Sequence, residues 1–173
     1  MYELLRYIDE TDKSMVVAGM AIALLACDGE NYIASVSVEE GEETLQFTPE
    51  IFFDRNTRIS AKLAWQQIIN EFHIFSGVLL GNILCRYIVA DKQLDKELID
   101  VMHRLIEEYG RQDCELDGDE IELLFDKDLC YFHRLFNHPT VIHVAKEFAH
   151  NLRLHRRMTR GDVLENLNRL SGL

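Results

Sequence analysis

Residues 59–90 read ISAKLAWQQIINEFHIFSGVLLGNILCRYIVA and contain the longest helical pattern in the chain. From Val78 onward the pattern is apolar almost all the way round, which is typical of a helix covered on several sides. The earlier apolar residues recur at three- and four-residue spacing and predict one broad core stripe: Trp65, Ile68, Phe72, Phe75 and Leu79. We therefore predict a central helix over residues 59–90.

Small side chains form a second line on this helix and a matching line on an earlier one. The lines consist of His73, Gly77, Gly81 and Cys85 in the central helix, and of Gly19, Ala23 and Cys27 in a helix predicted over residues 15–27. Each glycine costs about 1 kcal/mol of helix stability relative to alanine. Glycines placed one turn apart on one line therefore indicate close approach of another backbone. We expect the two lines to face each other.

Gly77 and Gly81 of the central helix have the spacing of a GxxxG motif, through which membrane-spanning helices dimerise. His73, Asn82 and Arg86 interrupt its apolar run, which leaves no uncharged stretch of the ~20 residues that a span requires. The sequence also shows no signal-peptide pattern, and its four cysteines lie far apart without CxxC spacing. We expect a cytoplasmic protein with reduced thiols and no membrane partner.

The other segments complete a mainly α fold. Alternating apolar residues predict a β-hairpin at about residues 31–48, and helical stripes predict helices near residues 92–109, 119–136 and 140–155. Thr159 and Asp162 have capping-box spacing and should begin a last short helix. The prediction is a single domain over residues 1–173: an antiparallel bundle of four longer helices, an N-terminal helix, a short C-terminal helix and the small hairpin.

Charge is unevenly distributed along the chain. The net charge is −12, with −16 in residues 1–130 and +4 in residues 131–173. An acidic body argues against broad nucleic-acid binding. The basic segment at residues 153–160, RLHRRMTR, either neutralises acidic groups or contacts phosphate, and the sequence favours the first reading.

One arrangement of acidic residues and histidines has the order of a di-metal site. Successive helices offer Glu71, then Asp100 and His103, then Glu122 or Asp126, then Glu147 and His150. This order resembles ferritin-like proteins, in which such groups point into the bundle. Here the groups project away from the apolar stripes, so a buried centre is not expected. His143, Glu147 and His150 share one helix face and stay candidates for a surface metal site, although a solvated polar face is favoured.

Two charged residues lie within apolar stripes and call for partners. Arg86 follows Phe72, Phe75 and Leu79 around the central helix, and Asp128 lies in the stripe of the 119–136 helix. Because an unpaired buried charge costs several kcal/mol, we predict that Arg86 pairs in the interior with Asp128 or another carboxylate, with Asn82 as a further candidate for the same group. The alternative is that both charged tips reach solvent.

The sequence contains no organised catalytic or phosphate-binding motif. The leading hypothesis is a soluble, non-enzymatic protein that acts through protein–protein contacts, either with itself or as the acidic partner of a basic protein, with no cofactor. The first alternative is a metal-dependent enzyme of ferritin-like or surface His/Glu type. The second is a regulator that contacts nucleic acid through its basic C-terminal segment.

Overall fold

The computed structural model describes residues 7–48 and 60–170. Within them six α-helices and three short strands follow one another: α1 (Glu10–Ala26), β1 (Ile33–Ser37), β2 (Leu45–Phe47), α2 (Ala61–Val89), α3 (Lys96–Gln112), α4 (Gly118–Phe136), α5 (Pro139–His155), β3 (Arg157–Thr159) and α6 (Arg160–Leu167). Two 3-10 turns lie at Glu30–Tyr32 and Asn168–Leu170. The predicted mainly α fold class is confirmed.

Short polar side chains fix where the helices begin, since each accepts a hydrogen bond from an otherwise unpaired N–H of the first turn. Thr159 and Asp162 form the predicted capping box of α6, and Asp117 with Glu120 forms another on α4. The predicted start of α1 is wrong. The helix begins at Glu10, five residues before the predicted start at Met15, because the Asp9 side chain caps it by accepting from the Asp12 N–H.

Helix α2 lies in the middle of the bundle and contacts α1, α3, α4 and α5. Its predicted boundaries are close to those observed, although Ile59 lies outside the described residues. By length and composition α2 could cross a membrane, and 56% of its most apolar 18 residues are buried inside the protein. Protein side chains therefore cover much of the apolar surface that made this helix resemble a span.

Helices α1 and α2 run antiparallel and touch through their backbones. An ideal Cβ on Gly19 would lie 2.0 Å from the carbonyl oxygen of Gly81, and one on Gly81 would lie 2.4 Å from the oxygen of Gly19. Ala23 lies beside Gly81, and Cys27 lies beside Gly77. We call Gly19, Ala23, Gly77 and Gly81 the small-residue contact. Only hydrogen in place of a side chain allows the two helices this separation.

The small sheet has a strand that the sequence did not reveal. β1 pairs antiparallel with β2, as the predicted hairpin requires, but β3 pairs with its other edge in the order β2-β1-β3. β3 is only three residues long, and its inward-facing Met158 is 2% exposed. A three-residue strand is too short for an alternating pattern to be recognised. It forms because Arg156, with φ 66°, turns the chain back from α5.

Two predicted stripes differ in part from the buried faces. Trp65 is 46% exposed, so it is not part of the core, whereas Phe72, from the same stripe, is fully buried. On α3 the apolar spacing of Leu98, Val101 and Leu105 predicts the buried face. Leu98 and Val101 are buried and Leu105 is half-buried, and the buried face also includes Met102, Ile106 and Gly110. At Gly110, α3 approaches Phe72 and Ile121 with no side chain between.

Replacing Gly19 with alanine should destabilise the fold severely. The new methyl group would meet backbone atoms of Gly81, which cannot turn aside as a side chain can, so α1 and α2 must separate. We expect a loss of about 3 kcal/mol or more in the free energy of unfolding, at or above the upper end for overpacked cores. Urea denaturation followed by circular dichroism measures it.

Gly161→Ala is the matched control. Gly161 is exposed in the first turn of α6, and the nearest neighbour of an added Cβ would be the Thr159 hydroxyl at 3.7 Å. This variant should be neutral or gain up to about 1 kcal/mol through helix propensity. Equal effects of the two substitutions would show that α1 and α2 do not approach as described.

Candidate functional site

A group of polar side chains lies where the end of α1 meets α2 and α4. His73 Nδ1 is 2.7 Å from Asp128 Oδ1 and 3.0 Å from Oδ2. Asp128 is only 6% exposed, so the imidazole contact compensates for much of the lost hydration of its carboxylate. One turn further along both helices, Phe132 lies against Gly77, so α2 and α4 run parallel with a constant offset. The hydrogen bond with Asp128 fixes the orientation of the His73 ring.

Cys27 joins the same group, and together the three residue types are those of a cysteine nucleophile with its base and orienting acid. The Cys27 thiol donates to the backbone oxygen of His73 at 3.5 Å. Burial, aided by the negative charges of Asp128 and Asp28, raises the Cys27 pKa to about 12. Because the thiolate is the nucleophile, this thiol is poorly suited to attack. The arrangement favours a polar contact that holds α1, α2 and α4 together.

The predicted interior pair of Arg86 forms with a carboxylate other than Asp128, an alternative that the prediction left open. Arg86 Nε donates to Asp12 Oδ1 at 2.8 Å, and its terminal nitrogen donates to Asp12 Oδ2 at 2.5 Å. Asp12 precedes Gly19 by two turns on nearly the same line of α1, and antiparallel packing brings it to the far end of α2. A bidentate ion pair between partly buried groups is a strong and directional contact. The missed signal was the seven-residue spacing of Asp12 and Gly19.

The metal candidates on α5 do not form a site. His143 Nε2 lies 3.4 Å from Glu147 Oε1, but the other Glu147 oxygen accepts from Arg169 at 2.7 Å. His150 is exposed on the same face. Throughout residues 7–48 and 60–170, no group of three or more His, Cys, Asp or Glu side chains is arranged to hold a metal ion. The surface site at His143, Glu147 and His150 is therefore not supported, because an arginine already neutralises its carboxylate.

The basic segment at residues 153–160 is engaged within the chain. Its four arginines each contact an acceptor elsewhere: Arg153 with Ser14, Arg156 with Glu10, Arg157 with Glu42, and Arg160 with Asn31. The Glu10 carboxylate raises the Arg156 pKa. These contacts link β3 and its flanking turns to α1 and the hairpin. Two of the four acceptors, Glu10 and Glu42, are carboxylates, so the segment neutralises acidic groups in part.

The other distinctive surface is the first part of α2. None of residues 61–71 is buried, and Leu63 and Trp65 are 50% and 46% exposed. Trp65, Ile68, Ile69 and Phe72 follow one another at helical spacing, and only Phe72 is fully buried. We call residues 61–71 the exposed end of α2. It continues the apolar stripe of the core past the point where the other helices cover it.

Double-mutant cycles should separate the two polar pairs. Combining His73→Ala with Asp128→Ala should give a coupling free energy of about 1–3 kcal/mol in denaturant unfolding, because the two side chains share a short, largely buried hydrogen bond. Arg86→Ala with Asp12→Ala should couple in the same range. Arg86→Ala with Asp128→Ala is the control and should be additive; coupling there, with none between His73 and Asp128, would contradict the assignment.

Thiol reactivity should follow burial and pKa. Cys130 is exposed, whereas the Cys27 pKa of about 12 leaves on the order of 10⁻⁴ of that thiol ionised at pH 8. We expect Cys130 to react with iodoacetamide at least about 100-fold faster, and the rate at Cys27 to rise about tenfold per pH unit until the pKa is reached. Peptide mass spectrometry of the native protein measures both rates. Fast labelling at residue 27 in Cys130→Ser would contradict the prediction.

Comparison with protein-family models, with curated proteins and with solved structures gave no match for this chain.

Proposed function

We propose that this protein acts through protein–protein contacts and that the exposed end of α2 is the surface that makes them. The single observation that supports the proposal is the apolar stripe that runs past the bundle, with Trp65 and Leu63 about half exposed. Exposed apolar residues are ordinary when they are scattered singly. Here they share one helix with Ile68 and Ile69, which are also only partly covered.

The side chains of this surface are suited to binding another protein. Tryptophan is enriched among the few residues that dominate binding energy at interfaces. Burying apolar area contributes roughly 25 cal/mol per Å², so covering an indole and neighbouring aliphatic side chains can supply a useful part of an affinity. Helices recognise partners through anchors at i, i+3 or i+4, and i+7. Trp65, Ile68 and Ile69, followed by Phe72, have this spacing.

The polar groups elsewhere favour the same conclusion. The Cys27 thiol is held protonated, the Glu147 carboxylate is paired with Arg169, and the arginines of residues 153–160 contact groups of the chain itself. The contacts of these groups are those that hold the fold together. These contacts do not support the enzyme alternative or the nucleic-acid alternative.

Photo-crosslinking tests the proposal directly. A photoreactive phenylalanine analogue replacing Trp65 should give a discrete crosslinked species in the cells that express the full chain, because a partner would cover this position. The same analogue at Leu154, which is 66% exposed on α5, is the control and should give at least about fivefold less. Mass spectrometry of the species identifies a second copy or another protein.

Sedimentation velocity of the purified protein completes the test. A monomer at all concentrations, together with crosslinking at residue 65 no stronger than at residue 154, would contradict the proposal. Thermal unfolding of both substituted proteins must match that of the unmodified chain, so that the comparison reports on the surface and not on folding.

A further inference from the structure

We propose that the partner of the exposed end of α2 is a basic amphipathic helix, with apolar side chains that cover Trp65 and cationic side chains that meet a nearby acidic turn. This inference rests on the proposed function and gives the chemistry of its partner. The acidic turn is defined as residues 113–120, DCELDGDE, between α3 and α4. It contains five carboxylates and no lysine or arginine.

The acidic turn lies at the base of the exposed end of α2. Gly110, near the end of α3, packs against the Phe72 ring, and the Leu116 N–H donates to the Gly110 carbonyl oxygen at 3.0 Å. The turn is therefore linked through Gly110 to Phe72, the residue at which the apolar stripe of α2 becomes buried. Trp65 precedes Phe72 by seven residues, two turns or about 10 Å along the same line of α2. A helix lying on Trp65 would thus run close to the carboxylates.

Four carboxylates of the turn supply negative charge for a partner. Glu115 and Asp119 are exposed. Asp117 and Glu120 also cap α4, which uses N–H groups and leaves the charge of both carboxylates in place. The Arg111 guanidinium lies beside Gly118 of the turn and is bound by Glu107 at 2.8 Å, so Glu107 offsets its charge. Complementary charges beside an apolar contact increase the association rate and select among partners, so this rim favours a cationic helix.

Charge also disfavours a second copy as the occupant. In a two-fold dimer both subunits present the same patch, so contact through the exposed end of α2 would bring two acidic turns to one interface. The chain carries a net charge of −12, which adds to that repulsion. A cationic partner turns the same charges into an attraction. The exposed end spans about 16 Å, which matches a partner helix of three to four turns.

Peptide binding to the full chain tests the inference. The probe is a fluorescein-labelled 18-residue peptide with leucine on one helix face and lysine on the other, compared with a leucine–glutamate peptide of the same pattern. A leucine–lysine peptide of scrambled order provides a control for charge without an apolar stripe. Fluorescence anisotropy should show binding of the first peptide only. Its affinity should fall at least tenfold at 0.5 M salt, because added salt shortens the Debye length and screens the opposite charges.

Protein variants locate the site. Glu115→Lys with Asp119→Lys should weaken binding of the leucine–lysine peptide at least tenfold, and so should Trp65→Ala. The matched control is Glu43→Lys with Glu165→Lys, which makes the same charge change at exposed positions in the hairpin and α6 and should stay within twofold. Trp65 is the only tryptophan of the chain, so its emission should shift to shorter wavelength when the peptide covers it.

The outcomes separate this inference from the proposed function. Equal binding of the acidic and basic peptides, or equal losses in the two charge-reversal variants, would overturn the basic partner while crosslinking at residue 65 still supports the interaction surface. A dimer that is lost in Trp65→Ala and is not displaced by the basic peptide would identify a second copy and overturn the inference. Absence of peptide binding together with absence of crosslinking at residue 65 would overturn both.

Discussion

The backbone contact between Gly19 and Gly81 is the constraint on which the rest of this structure depends. Because each glycine lies against the carbonyl group of the other, the separation of α1 and α2 and their relative height are both fixed. A shift of either helix by one residue would place a side chain where the partner backbone now lies. The polar contacts at the two ends of the pair follow from that register. Asp12 meets Arg86 at one end, and Cys27 meets the His73 carbonyl at the other.

These end contacts show how the fold accommodates charge inside an apolar bundle. Asp128 and Arg86 are charged residues that both lie within apolar stripes. Each pairs with a group on a different helix. The cost of burying a charge is met only by a partner with suitable geometry. The register of α1 on α2 supplies Asp12, and the parallel alignment of α2 and α4 supplies His73. Both partners result from helix packing, not from proximity in sequence.

This origin explains what could be predicted from the sequence and what could not. Residue spacing within one helix was sufficient to place Gly19 opposite Gly81 and to identify the capping box of Thr159 and Asp162, because both are local patterns. The partner of Arg86 depends on which end of α1 lies beside it, and no local pattern records that. The strand β3 was missed for a related reason, since three residues carry no period and their pairing with β1 is decided by the turn at Arg156.

The prediction that Trp65 belongs to the core failed for a different reason, which also accounts for the exposed end of α2. A stripe shows that side chains share a helix face, but it does not show how far the neighbouring helices extend. α2 has 29 residues, whereas α1, α3 and α5 have 17 each and α4 has 19. The excess over the other helices is 10 to 12 residues, close to the 11 residues of the exposed end. In a bundle of these helix lengths the other helices do not reach one end of the central helix, and the small-residue contact determines that it is the N-terminal end. The tryptophan and isoleucines on that segment lie outside the core, and the proposed partner protein would explain their presence there.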